Sequence, residues 1–370
     1  MKIILSCGGT GGHIYPALAI ADEIRAHHPE AQILFIGTHR ALENEVIPAH
    51  GYDIMNISAS GFHRREIWKN VKTLKDTLEG ASQAKKIIRE FQPDLVIGTG
   101  GYVCGPVVRA AHKMGIPTAI HEQNAFPGMT NKMLSKYVDK IFISFDEAKK
   151  YFQREEGVFL VGNPLRKGFV VNEKAQMREK LGLDPSRLTV LCFGGSLGAM
   201  KINELMVHLI GTLNGAEDVS VLFVTGKRFY GEVLEKLRER TEEIKDNIRV
   251  FEYLDNMPEY MAASDVIISR AGALTLAEIT ACGKAAILIP SPYVTGNHQY
   301  HNARVLSDMG AAELIEEKDL TDEAVLSILG RLRKDPQLLA EMEEKSRSLA
   351  RTDAAEQIYG ELKEYLVPGQ

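Results

Sequence analysis

The sequence predicts an α/β protein of two doubly wound, Rossmann-like domains, each a parallel sheet with helices on both faces. Three observations carry this. Short β-branched runs alternate with longer amphipathic stretches through most of the chain, the rhythm of βαβ units. That rhythm starts twice. Ile3-Ile4-Leu5-Ser6-Cys7-Gly8-Gly9-Thr10-Gly11-Gly12 opens the first half and Thr189-Val190-Leu191-Cys192-Phe193-Gly194-Gly195-Ser196-Leu197-Gly198 the second, each a strand followed by a glycine-rich turn with a hydroxyl residue. The length, 370 residues, also exceeds what one core comfortably serves.

In chain order, Ile3–Ser6, Ile33–Ile36, Leu95–Gly98, Thr118–Ile120 and Ile141–Ser144 read as the first set of strands. Helical patterns lie between them, such as Pro16–His27 and Val71–Phe91. The second set is Leu188–Phe193, Val219–Val224, Arg249–Phe251, Val266–Ser269 and Ala286–Ile289. The turn-rich stretch Gly162-Asn163-Pro164-Leu165 marks the junction, giving domains over 1–164 and 165–349. The last helical stretch, Ala354–Tyr365, is too short for a third domain. It is expected to return to the first, which residues from about 350 to 370 complete. The two sheets are expected to face each other across a deep cleft.

Composition narrows the function. A net charge of −5 offers no basic excess for nucleic acid. The four cysteines, Cys7, Cys104, Cys192 and Cys282, lie far apart with no Cys-x-x-Cys pair, as buried free thiols in a reducing compartment do. The opening residues reach a glycine turn too soon for a signal peptide. No window holds the roughly 18 apolar residues of a membrane span. A cytoplasmic location is expected, with a peripheral membrane contact left open.

A strand, a glycine-rich turn and a helix start form a general anion site, because the backbone can approach the ligand and the helix dipole favours negative charge. One such loop is weak evidence, since tight strand-to-helix turns need glycine anyway. The P-loop pattern is absent, and Phe35-Ile36-Gly37-Thr38 supplies no acidic residue for a dinucleotide ribose. A third turn, Gly98-Thr99-Gly100-Gly101-Tyr102, follows the strand at Leu95. His121-Glu122-Gln123-Asn124 follows the strand at Thr118. Both should reach the carboxyl edge of the sheet, where α/β proteins place ligands.

The second half adds Ser269-Arg270-Ala271-Gly272-Ala273-Leu274-Thr275-Leu276-Ala277-Glu278 after its own strand. A carboxylate one turn into that helix can accept two hydrogen bonds from a ribose diol. Complementing the helix dipole is its alternative role. Beyond the next strand stand Pro290-Ser291-Pro292, Gly296-Asn297-His298-Gln299 and Asn302. Their amides suit sugar hydroxyls, with helix capping by Asn297 as the alternative.

Taken together, these stretches resemble the two-Rossmann-domain (GT-B) glycosyltransferases. More narrowly they resemble the MurG family of UDP-N-acetylglucosamine:N-acetylmuramyl-(pentapeptide) pyrophosphoryl-undecaprenol N-acetylglucosaminyltransferases. The matching segments run in family order from residue 8 to about 303: Gly8 to His13, Gly100-Gly101-Tyr102, His121 to Asn124, Gly162 to Arg166, Gly194 to Ala199, Ser269 to Thr275 and His298-Gln299-Tyr300. The resemblance implies transfer of N-acetylglucosamine from UDP to the C4 hydroxyl of lipid I, giving lipid II with inversion.

It also implies residue roles. The second domain would hold the donor, with the backbone around Leu254 on uracil, Glu278 on ribose and Ser196 with its glycine loop on the diphosphate. Ala273, Leu274, Thr275 and Gln299 would line the sugar and phosphate region. Thr10, Gly11, Gly12, Asn124 and Arg166 would meet the donor from the first domain. Gly100, Gly101, Tyr102 and His121 would stand on the acceptor side. Some family members carry two adjacent glutamines where this chain has His298-Gln299, which leaves the role of His298 open.

The chemistry fits these residues. Negative charge grows on the leaving diphosphate and needs a metal or fixed donors. No Asp-x-Asp tripeptide occurs in the chain, so loop N–H groups, a helix start and Arg166 are expected to serve without a metal or cofactor. His13 is the first candidate for general base and Glu122 the second. Helix capping is the alternative for His13. A polyprenyl acceptor requires a membrane face, and Arg64 to Lys75 mixes cations with apolar residues, notably Trp68, Lys69 and Lys72. An amphipathic helix packed on its sheet would have the same composition. Cell-wall assembly proteins are expected partners. The competing readings are a related UDP-sugar enzyme, such as a UDP-N-acetylglucosamine 2-epimerase or another lipid glycosyltransferase, and a non-catalytic sugar-nucleotide-binding subunit.

Overall fold

A computed structural model describes residues 1–39, 41–61, 70–166, 168–169, 173–195 and 198–366. The chain divides into two compact units, residues 1–166 with 352–370, and residues 167–351.

The first unit is built on seven strands: β1 (Lys2–Cys7), β2 (Gln32–Gly37), β3 (Asp53–Asn56), β4 (Leu95–Gly100), β5 (Thr118–Glu122), β6 (Lys140–Ile143) and β7 (Val158–Leu160). Their order is β3-β2-β1-β4-β5-β6-β7, and every pairing is parallel. Strands β1, β4 and β5 are fully or almost fully buried, which is why they read as continuous apolar runs rather than alternating ones. Helices α1 (Gly11–His27) and α2 (Ala41–Ala49) cover one face with α14 (Ala354–Leu362), whose Ile358, Tyr359 and Leu362 join the core there. Helices α3 (Asn70–Phe91), α4 (Cys104–Lys113) and α5 (Met129–Leu134) cover the other.

The second unit repeats the plan with β8 (Leu188–Phe193), β9 (Val219–Val224), β10 (Ile248–Phe251), β11 (Val266–Ser269), β12 (Ala285–Leu288) and β13 (Ala312–Leu314), in the order β10-β9-β8-β11-β12-β13. Its helices are α6 (Lys174–Leu181), α7 (Met200–Leu213), α8 (Tyr230–Arg240), α9 (Met257–Ala263), α10 (Ala273–Ala281), α11 (His298–Asp308), α12 (Asp322–Lys334) and α13 (Pro336–Ser348). The core on one face gathers Ile202, Met206 and Ile210 of α7 with Val325, Leu329 and Leu332 of α12 over β8, β9 and β11.

Two expectations need correction. Helix α1 begins at Gly11, not at Pro16. Pro16 falls early enough in the helix that the one bond it forfeits is to the carbonyl four residues back, in the first turn. The edge strands β3, β7 and β13 are only 4, 3 and 3 residues long and are partly exposed, too short to show a period.

Candidate active site

In the first unit β1 lies between β2 and β4, so the chain leaves β1 in one direction and returns on its other side. At such a switch point the loops after the two central strands part and leave a crevice at the carboxyl edge of the sheet. Here they are the turns after β1 and β4, and they interlock. A Cβ on Gly101 would sit 2.5 Å from the Gly8 carbonyl, and Gly9, Gly100 and Gly101 all have positive φ. Only glycine allows this approach.

His13 stands in the first turn of α1. Its backbone N–H donates to Thr10 O at 3.1 Å, and Thr10 is the cap residue without a side-chain cap bond. The imidazole Nδ1 lies 3.0 Å from Gly8 O. A carbonyl can only accept, so Nδ1 carries a proton, and in the neutral ring Nε2 then keeps the lone pair. The ring lies against Gly100, where a Cβ would come within 2.5 Å of Cδ2 and 2.9 Å of Nε2. Thr99 Oγ1 donates to His13 O at 2.8 Å, tying α1 to the end of β4.

The turn after β5 is organised by a carboxylate. Glu122 is buried, and both its oxygens are engaged. Oε1 accepts from Asn124 N at 2.9 Å and Asn124 Nδ2 at 3.1 Å, Oε2 from Gly128 N at 3.0 Å and Asn131 Nδ2 at 2.8 Å. Four donors on a buried carboxylate leave no lone pair for an acceptor hydroxyl. Glu122 therefore shapes the loop, and to act as the second candidate base it would have to give up one of these donors.

His121 is fully buried as well. Nε2 donates to Gly162 O at 2.9 Å, and Nδ1 accepts from Gln123 Nε2 at 2.9 Å. Burial pushes this imidazole down to about 4, and the nearby His13 acts in the same direction. His121 is thus a buried strut that ties the turn after β5 to the turn after β7. Tyr102 is half exposed and rests on Gly61, where a Cβ would clash with its ring. The Arg166 guanidinium lies 4.5 Å from the ring of Tyr15, two residues beyond His13.

The second unit has the corresponding switch point between β8 and β11. The loop after β8 is again set by glycine: Gly195 and Gly198 have positive φ, and a Cβ on Gly194 would fall 2.2 Å from Ala199 N. After β11, Gly272 is the N-cap of α10 and brings no side chain of its own to the helix start, and the first helical bond is Leu276 N to Gly272 O at 3.0 Å. Ala273, Leu274 and Thr275 form that first turn, the anion-favouring end of a helix. Glu278, one turn further on, is largely buried. Leu254 is buried in the loop after β10. Gln299 Oε1 accepts from Ser291 N at 2.8 Å, which fixes the amide against the loop after β12. His298 Nδ1 donates to Thr295 O at 2.9 Å, closing the turn before α11.

Ser196, Trp68 and Lys69 lie outside the described residues; Lys72 falls in α3, with only its backbone described. Among the described residues no group of three His, Cys, Asp or Glu is gathered as for a metal.

Sequence reasoning passed over two residues. Arg270 donates to Ile289 O at 3.1 Å and pairs with Glu317 at 2.6 Å, joining the loops after β11, β12 and β13. Glu43 is fully buried under the first glycine loop. It lies five residues beyond Thr38, outside the strand end where an acidic residue is expected.

Residues 3–143 match the glycosyltransferase family 28 N-terminal domain, and residues 189–358 match the family 28 C-terminal domain. The chain is 47% identical to the UDP-N-acetylglucosamine--N-acetylmuramyl-(pentapeptide) pyrophosphoryl-undecaprenol N-acetylglucosamine transferase of Thermoanaerobacter sp. (strain X514), over 98% of this chain and 99% of that protein. It is 46% identical to the protein of the same description from Bacillus subtilis (strain 168), over 98% and 99%. Among solved structures, the crystal structure of Acinetobacter baumannii MurG superposes with a TM-score of 0.79 at 28% identity, covering 98% of this chain and 99% of that one.

Proposed function

The chain belongs to glycosyltransferase family 28, and from that premise we propose that it transfers N-acetylglucosamine from UDP-N-acetylglucosamine to the C4 hydroxyl of the N-acetylmuramyl-pentapeptide carried on undecaprenyl diphosphate. The products are lipid II and UDP, with inversion at the anomeric carbon. The observation that carries the reading is the imidazole of His13, held by Nδ1 against the Gly8 carbonyl at the first switch point, in a chain whose second unit offers glycine turns and a helix start capped by glycine.

His13 Nε2 takes the proton of the acceptor hydroxyl as that oxygen attacks the anomeric carbon from the face opposite UDP. The bond from that carbon to the diphosphate breaks, and its electron pair leaves with UDP. Donors fixed before the reaction meet the growing charge most effectively. The N–H groups at the start of α10, the glycine loop around Ser196, and Arg166 fill that role. Glu278 accepts from the ribose diol, the backbone at Leu254 reads uracil, and Gln299 presents its NH2 to the sugar. Thr10, Gly11, Gly12 and Asn124 complete the donor contacts; Gly100, Gly101 and Tyr102 guide the acceptor. The reaction proceeds without a divalent ion.

The acceptor lipid calls for a peripheral contact with an anionic membrane on its cytoplasmic face. No described helix is long and apolar enough to cross a membrane. Exposed Met129 and Met133 lie a turn apart beside Lys132 and Lys136, and Leu78 of α3 is 66% exposed. By composition Trp68, Lys69 and Lys72 add apolar and cationic groups suited to an interfacial contact.

The test is label transfer from radioactive UDP-N-acetylglucosamine, with and without a lipid I analogue in anionic vesicles, in the presence of EDTA. We expect transfer only with the acceptor, undiminished by chelation, and vesicle binding that weakens with salt. Acceptor-independent epimerisation of the donor sugar would establish the epimerase reading. Donor binding without turnover would establish the non-catalytic one. Complete loss in EDTA, restored by magnesium, would overturn the metal-free mechanism.

A further inference from the structure

Beneath the loop after β1, a carboxylate, a peptide bond and an imidazole stand in line. Glu43 enters on α2 and is fully buried. Its Oε2 accepts from Gly9 N at 3.3 Å. Its Oε1 accepts from Thr38 N at 3.2 Å and from Thr38 Oγ1 at 2.5 Å. The Gly9 N–H belongs to the same peptide unit as the Gly8 carbonyl, and that carbonyl receives Nδ1–H of His13 at 3.0 Å. Gly8 and Gly37 make room for the carboxylate, since a Cβ would come within 2.9 Å of Glu43 Oε1 at Gly8 and 3.2 Å of its Cγ at Gly37.

We infer that Glu43 is a positioning residue for His13, acting through the peptide bond between Gly8 and Gly9. A peptide whose N–H donates to a carboxylate is polarised, and its carbonyl becomes a stronger acceptor. A stronger acceptor at Nδ1 holds the tautomer that leaves the Nε2 lone pair free, and it makes Nε2 more basic. The backbone thereby transmits an effect that a carboxylate exerts by direct contact in other sites. This inference rests on the reading of His13 as the base.

The titratable groups around the line are Cys7, Cys104 and His121. Burial pushes the Cys7 thiol well up, with Cys104 and Glu43 acting in the same direction, and pushes Cys104 up to about 11. His121, held down to about 4 by burial, is uncharged too. None of the three competes with Glu43 for the Gly8–Gly9 peptide.

Glu43→Gln tests the inference. Its single oxygen can serve Thr38 or Gly9 but not both, so one N–H faces an amide NH2. Thr38→Val is the control, removing the hydroxyl donor to Oε1 and leaving the Gly9 contact in place. With histidines labelled by 15N, the signals missing in His13→Asn identify the His13 ring. In Glu43→Gln they should shift toward mixed tautomers, and the acid limb of kcat/KM should move to lower pH. Turnover should fall about 10- to 100-fold, the usual scale for an orienting partner beyond the first contact, with KM for the donor within about twofold. Thr38→Val should lose comparable thermal stability and change none of these. Identical ring signals in Glu43→Gln and wild type, or the same changes in Thr38→Val, would overturn the inference. An active His13→Asn enzyme would remove the base assignment, while the ring signals would still decide whether Glu43 sets the tautomer.

Discussion

The two units share a sheet order around their first and fourth strands, and both place glycine turns at the switch point, yet they distribute charge differently. In the first unit, His13, Glu43, His121 and Glu122 all gather at the carboxyl ends of the strands. In the second, a buried ionic cluster sits at the amino ends. Asp265, just before β11, accepts from Thr189 N at 2.7 Å and Lys174 at 2.7 Å and pairs with Arg178, while Lys284, just before β12, donates to Ala262 O at 2.7 Å. At its carboxyl edge the second unit has Glu278, the Arg270–Glu317 pair and His298 beside glycine turns, a helix start and the Gln299 amide. On the proposed reaction, one fold serves two tasks. Proton transfer needs titratable groups held at the crevice, whereas a diphosphate is bound by dipoles that do not titrate.

The largest effect should come from His13. His13→Ala removes the base and should lower turnover by about 100- to 10,000-fold, while calorimetric titration shows UDP affinity near wild type. The contrast between the units predicts that split. His13→Asn separates the roles further, because an amide can donate to Gly8 O but is no base. If His13→Asn keeps most of its activity, the first crevice is a binding device like the second, and the comparison fails.

A smaller loss should follow from Glu278→Ala. Unpairing a ribose diol costs about 1–3 kcal/mol, roughly 5- to 150-fold in Kd. Turnover at saturating donor should stay within about threefold if binding is lost equally from ground and transition states. Unchanged UDP affinity by calorimetry would return Glu278 to the role of complementing the dipole of α10.

The central strands and the glycine turns were legible because buried parallel strands are apolar runs and strand-to-helix turns demand glycine at fixed places. His13 was legible for the same reason, standing where a loop turns into a helix. What was not legible depends on contacts far apart in sequence. Glu122 reads as a catalytic carboxylate by type and position, and only the four donors around it reveal a structural role. Glu43 sits 34 residues from the amide it holds, and no local pattern links them. Arg270 lies inside a recognised stretch, but its partners come from later loops.

The smallest effect should touch stability alone, and it tests the other side of the comparison, that the charges at the amino ends of the second sheet are structural. Burial pushes Lys284 down from 10.5 to about 8, and the neighbouring Lys174 adds to the shift by repulsion. Between those two values the unfolded chain holds a proton that the folded chain does not. Stability from this group therefore rises with pH from 8 to 10.5, by at most about 1.4 kcal/mol per pH unit. Lys174 works in the opposite sense. It is desolvated too, but Asp265 and Glu343 hold it above the ordinary lysine value, so its contribution is lost only as pH climbs beyond 10.5. Between pH 8 and 9 the Lys284 term should stand alone, and above 9 the buried Cys282 thiol beside it, pushed up to about 11, works in the opposite sense in wild type and variant alike. Guanidinium denaturation of wild type and Lys284→Met between pH 8 and 10 should show wild type gaining about 1–3 kcal/mol relative to the variant, with UDP affinity the same in both. If the two curves stay parallel, Lys284 keeps its proton in the fold. Asp265 and Glu343 would then outweigh its desolvation, and the cluster would be a balanced ion network rather than a lysine held neutral.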